Sequence, residues 1–171
     1  MAKNLNKNRV FRFNRRIRGL TNYNLRLKLL KSNLTRVVVR RSNKNMLVQF
    51  INYDNDGDKI ITSSKSVDLL KLGYTLNTGN LTSAYLTGLL AGKRALKAGV
   101  KTDVIVDLGL QKSIYGSRIY AAIKGIKDSG VKVKVSDEVF PVQERLNGSH
   151  LKAKDATKVI EATKKKIEGM K

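Results

Sequence analysis

Cysteine is absent from this 171-residue chain, which excludes disulfides, thiolate-bound zinc and cysteine nucleophiles together. His150 is the one histidine and there is no Gly-x-Ser-x-Gly elbow, so no hydrolytic triad can be assembled. No apolar run approaches the roughly 20 residues that a membrane-spanning helix needs. The basic N-terminus also lacks the apolar segment of a secretory signal, so an intracellular protein is expected. The most informative absence is of one charge sign. From Met1 to Tyr53 there is no Asp or Glu, while fourteen Lys and Arg fall between Lys3 and Lys44. That stretch carries +14 of the formal +22, and the rest of the chain, with 21 basic and 13 acidic residues, carries +8.

Folded surfaces normally interleave both signs to stay soluble, so a one-sign run of this length calls for a polyanionic counterpart. Nucleic acid supplies one, because regularly spaced phosphates release counterions when Lys and Arg neutralise them. A membrane surface fits poorly: no sustained apolar face with aromatic anchors accompanies the charge.

What is present suffices for one domain with extensions, since 41% of the residues are hydrophobic. Residues 1–20 read as a basic arm in which Lys3, Lys7, Arg9, Arg12, Arg15, Arg16 and Arg18 alternate with asparagines. Its apolar surface is too small to offset the entropy of ordering, so alone it is expected to be disordered. Phe11 and Phe13 within it could insert between bases or pack on a neighbour. Thr21 and Asn22 can cap a helix through about Lys31. Its leucines would seat it on the core and leave Arg26, Lys28 and Lys31 to phosphate, with Tyr23 a stacking platform or a core anchor.

Three strand-like runs follow, Leu34–Arg41, Met46–Tyr53 and Lys59–Ser64, joined by turn-rich Ser42–Asn45 and Asp54–Gly57. Arg36 and Arg40 share one face of the first strand with Val38, so that face or the strand ends must meet something other than core. Ser66 can cap a short helix from Val67 to Leu72, ended by Gly73. Asn80 caps a longer one to about Ala98, in which Gly88 and Gly92 permit close approach of another element. A strand from Lys101 to Asp107, a helix from Ser117 through Lys127 and a last strand from Val131 to Val135 come next. An irregular stretch and a helix from Ala156 to Glu168, capped by Asp155, complete the chain. The reading is α/β: a three-stranded antiparallel meander extended by helix–strand crossovers into a mixed sheet with packed helices. The basic arm (1–20) precedes this domain (21–151), and a C-terminal helical extension (152–171) follows it.

Catalytic patterns do not survive inspection. Gly88 to Lys93 is one residue short of a phosphate-binding loop and is followed by Arg94 where a magnesium-holding hydroxyl belongs. Asp54 and Asp56 begin like a calcium loop whose twelfth position would be Ser63. Asp103 and Asp107 lie about 13 Å apart along a strand, too far to clamp one metal. No enzyme, metal or cofactor is implied.

Several stretches together resemble one family. They are Arg15-Arg16-Ile17-Arg18-Gly19-Leu20-Thr21-Asn22-Tyr23, Val39-Arg40-Arg41-Ser42-Asn43-Lys44, the long run from Asn80 to Ala95, Asp107-Leu108-Gly109-Leu110 with Gly116-Ser117-Arg118, and Glu144-Arg145-Leu146-Asn147-Gly148. The pattern is similar to that of the universal family-eighteen proteins of the large ribosomal subunit, in their archaeal form. Asn22 and Asn24 stand where that family more often has an acid and a base. The resemblance implies a structural protein of the central protuberance that bridges 5S rRNA to 23S rRNA beside neighbouring large-subunit ribosomal proteins. It further implies that 5S rRNA is held by the segment from Lys3 through Lys44, including Tyr23, Arg26, Lys28, Arg40, Arg41, Asn43 and Lys44. Lys93, Arg94 and Arg118 complete the expected RNA-binding set. Two other readings are weighed against it. A nuclease on a ribonuclease-H-like sheet would need clustered carboxylates, and a general nucleic-acid-compacting protein would not need so developed an α/β core.

Overall fold

Three consecutive valines, Val37 to Val39, stiffen the backbone toward extension and place β1 (Thr35–Arg41) inside a four-stranded sheet. The computed structural model describes residues 12–100, 103–151 and 155–170. In it β2 (Met46–Asn52) and β3 (Lys59–Lys65) continue from β1 as an antiparallel meander, and β4 (Val104–Asp107) runs parallel to β1 on its other side. The β1–β2 turn closes with Ser42 N–H donating to the Asn45 carbonyl at 2.8 Å. A parallel neighbour requires a long crossover, and α3 (Leu81–Lys97) provides it. The mixed sheet and packed helices are therefore as the sequence suggests.

One face of the sheet is apolar. Val37, Val39, Val48 and Phe50 are fully buried there against Leu86, Leu89 and Leu90 of α3 and Ile119, Ile123 and Ile126 of α4 (Arg118–Asp128). Thirteen of the seventeen residues of α3 are buried, which is the condition of a helix enclosed on all sides. Asn80 starts it by accepting the Ser83 N–H at 2.7 Å. The enclosure depends on small residues at the contact with α4. A Cβ added at Gly88 would overlap the carbonyl oxygen of Ala122, and one at Gly125 would overlap that of Tyr85. The last helix, α6 (Ala156–Glu168), buries Ala156, Ile160, Thr163 and Ile167 toward α3 and the 3₁₀ turn at Ser66–Leu72.

Several sequence expectations need correction. Residues 131–135 do not form a strand; Val133 makes a single bridge to Val104, whose N–H donates to Lys132 O at 3.1 Å. Val131 is instead a core plug, and the chain turns away to a 3₁₀ turn at Asp137–Val139 and the short α5 (Gln143–Asn147). Ser66 lies inside its 3₁₀ turn rather than capping it. Its buried hydroxyl accepts the Met46 N–H at 3.1 Å, while the Asp68 carboxylate accepts the Lys65 N–H. Ser117 and Asp155 occupy N-cap positions without a side-chain bond to the backbone, and Asp155 pairs with Lys158 instead. Residues 14–17, expected to be disordered in the isolated arm, form a one-turn helix, α1 (Asn14–Ile17). Finally, α2 (Tyr23–Leu30) has no buried residue, so its leucines do not seat it on the core.

Helix propensity alone would favour alanine over glycine by about 1 kcal/mol in a helix interior. The contact geometry reverses that sign at Gly88 and Gly125. Gly88→Ala and Gly125→Ala should each lower stability by about 2–3 kcal/mol through overpacking, read as a fall in the urea or thermal midpoint.

Candidate nucleic-acid interface

The second face of the sheet is organised by charge. Arg36, the second residue of β1, is only 2% exposed, a burial that costs several kcal/mol unless the guanidinium is paired. Its Nη1 donates to Asp107 Oδ2 at 3.2 Å and its Nη2 lies 2.7 Å from Asp58 Oδ2. Asp107, at the end of β4, also accepts from Arg40 Nη2 at 3.0 Å and from the Gly109 N–H at 2.8 Å. Its carbonyl accepts from Arg40 Nη1 at 2.6 Å. Asp58, just before β3, accepts from Arg26 Nη2 at 2.9 Å. The result is an alternating row, Arg26–Asp58–Arg36–Asp107–Arg40, with three cations and two anions. Burial pushes the Asp58 carboxyl pKa up, but the hydrogen bonds and charges of Arg36 and Arg26 outweigh it, and the group titrates below its ordinary value.

This row is what ties α2 to the sheet. Leu25 and Leu27 on the helix are exposed, and Arg26 supplies the direct link through Asp58. Asn22 caps α2 by accepting the Leu25 N–H at 3.0 Å, as the sequence suggests. The segment before it folds back on it. Arg15 Nε donates to Thr21 Oγ1 at 2.9 Å, and the Phe13 ring lies 5.4 Å from that of half-buried Tyr23. Tyr23 is thus packed on another aromatic of the basic segment and is no anchor in the main core. Between this layer and the loop after β4 lies a cleft of about 680 Å³, with Arg15, Arg26 and Arg40 in its walls.

The structure sorts the cations singled out in the sequence. Arg12, Arg16, Arg18, Lys28, Arg41 and Lys44 are exposed, as are Arg15 and Asn43. Lys3, Lys7 and Arg9 lie outside the described residues. Four others are held by protein acceptors. Arg26 and Arg40 belong to the charged row. Arg94 Nη1 donates to Ser63 O, Ser64 Oγ and Asp68 Oδ2 at 2.9–3.0 Å, joining α3 to β3. Burial raises the Asp68 pKa, yet the Lys65 N–H and Arg94 hold it below the ordinary carboxylate value. Arg118 Nη1 donates to Gly79 O at 2.6 Å and to Asn43 O at 3.3 Å, pinning the β1–β2 turn. Lys93 is half-exposed on α3. Sequence reasoning missed Arg36, Asp58 and Asp107 as one unit; an arginine directly before three valines in a strand was the available signal. Among the described residues no group of three or more His, Asp or Glu side chains could hold a metal ion.

Residues 7–104 match the family model described as ribosomal large subunit proteins 60S L5 and 50S L18. The chain is 45% identical over 159 residues to the large ribosomal subunit protein uL18 of Methanococcoides burtonii, covering 91% of each chain. It is 48% identical over 140 residues to the protein of the same description from Korarchaeum cryptofilum, covering 82% of this chain and 71% of that one.

Two outcomes test the charged row. Asp107→Ala removes the acid shared by Arg36 and Arg40, and should cost about 3–5 kcal/mol in urea denaturation. Because the Asp58 carboxyl is held below its ordinary pKa of 3.8, its contribution is complete above that pH and is lost as pH falls through the lower, folded-state value. Asp58→Asn should therefore flatten the acid limb of a stability–pH curve; an unchanged limb would remove Asp58 from the row's energetics.

Proposed function

The chain belongs to the family of ribosomal large subunit proteins 60S L5 and 50S L18, and from that premise we propose that it binds 5S rRNA and attaches it to 23S rRNA in the central protuberance. The family is one of structural ribosomal proteins, so the chain acts in the ribosome as a non-catalytic constituent of the large subunit. The finer reading rests chiefly on one observation. Of the fourteen cations in the acid-free leader, Arg26, Arg36 and Arg40 are paired with acids from beyond it, while Arg12, Arg16, Arg18, Lys28, Lys31, Arg41 and Lys44 remain at the surface.

Each class has a separate task in this reading. Exposed Arg and Lys grip phosphates, with Arg favoured where a planar fork meets two oxygens. The paired arginines fix α2, and Arg118 pins the β1–β2 turn, so that those contacts keep a set spacing, and shape selects the RNA. The arm at 1–20 and the domain at 21–151 act together at the 5S rRNA, and the extension from 152 supports the domain from the far side of α3. A nuclease is disfavoured because Asp58 and Asp107, the carboxylates of this face, are both taken up by arginines.

Titration of 5S rRNA at several salt concentrations tests the proposal. With about eight phosphates neutralised, log affinity should fall against log salt with a slope of about −6 to −7. Removal of residues 1–20 should make the slope shallower by about 0.7–0.9 for each phosphate that the arm neutralises. It should leave the thermal transition in place, since α1 buries nothing. A salt-independent affinity would end the reading.

A further inference from the structure

The cleft beside α2 has a chemistry that gripping phosphate does not require. Phosphate is a hydrated anion and needs only exposed cations, yet the lining here includes Leu25, Leu29 and Leu110 together with Tyr23. The cleft is also lined by Arg15, Arg40 and Gln111. Asp107 also lines it, but its carboxylate is neutralised by Arg36, Arg40 and the Gly109 N–H. Arg15 is already oriented through its Nε bond to Thr21, which leaves its terminal nitrogens for an anionic group. Gln111 is held only by two long 3.4 Å bonds to the Arg41 backbone, so its amide can exchange them for a better partner. Apolar faces, a polar edge able to donate and accept, and an attached anion are together the description of a nucleotide. At about 680 Å³ the cleft lies within the roughly 300–1,000 Å³ of small-ligand sites.

We propose that this cleft receives one unstacked nucleotide of the bound RNA, its base against the lining leucines and Tyr23 and its edge read by Gln111. The inference rests on the reading of the chain as an rRNA-binding protein and adds a base-recognising site to its phosphate contacts. Paired RNA cannot enter, because its bases are stacked and only loops, bulges and ends offer a free one. Binding is therefore directed to a place in the RNA and not merely to its charge.

The test uses the full chain in two arms. In the first, AMP, GMP and inorganic phosphate are titrated into ¹⁵N-labelled protein. The nucleotides, but not phosphate, should shift the amide signals of Tyr23, Gly109 and Gln111 saturably. Equal shifts with phosphate alone, or none with nucleotides, overturn the proposal. In the second, Leu110→Trp fills the cleft at a residue 57% exposed, where the core is not disturbed. Affinity for 5S rRNA should fall about 5- to 100-fold, the range of one base-stacking interaction, with the salt slope unchanged. Tyr23→Phe should keep the affinity and Tyr23→Ala lose it, which separates a stacking ring from a fold defect. Unaltered affinity in both Leu110→Trp and Tyr23→Ala overturns the site while the rRNA reading stands. Failure of the unmodified chain to bind 5S rRNA at low salt removes the RNA reading, and the nucleotide titration still reports on the cleft.

Discussion

An arginine buried near the start of an interior strand must be met by acids, and none exists in the first 53 residues. Arg36 therefore has to borrow its partners from Asp58, beyond the second strand, and from Asp107, at the end of the fourth. This requirement couples elements far apart in sequence. The β2–β3 hairpin must reach back to the β1 face, and the parallel register must set Asp107 beside Val38. A shift of one residue would turn Asp107 to the apolar face and strand two guanidiniums. Buried ion pairs add little stability relative to apolar replacements, but breaking one is costly, so the row acts mainly as a constraint on which arrangement is allowed.

The same row explains how a helix with no buried residue is held in place. In α2 the spacing Leu25, Leu27, Leu29 advances by about 200° per step, so the three leucines cannot share one side of a helix. An amphipathic seat was never available to this segment. It is fastened by Arg26 and Asp58 at one point and padded by its own aromatic and apolar residues elsewhere. Such an attachment fixes position while leaving the helix surface open to solvent.

What could be read from the sequence was local. Turn residues at 42–45 and 54–57 announced the meander, Asn80 announced α3, and the glycines at 88 and 92 announced a close neighbour, which proved to be α4. The misreadings came from interactions that only the folded chain supplies. Val131 to Val135 alternates like a strand, but β4 is short and the segment touches it at one position. The protein contacts of Arg94 and Arg118 were not legible either, because their acceptors, Ser63, Asp68, Asn43 and Gly79, lie 26 or more residues away in the chain. The leader's charge pointed to its partner class, whereas the division between outward and inward cations depended on acids delivered by later strands.

The final helix gives the fold a direction in time. Ile160 and Ile167 of α6 close over α3, and Lys166 Nζ donates to Leu72 O at 2.8 Å across the chain. The cationic leader precedes both in the chain. A nascent polypeptide thus displays its cationic segment before the lid on its hydrophobic interior has been made.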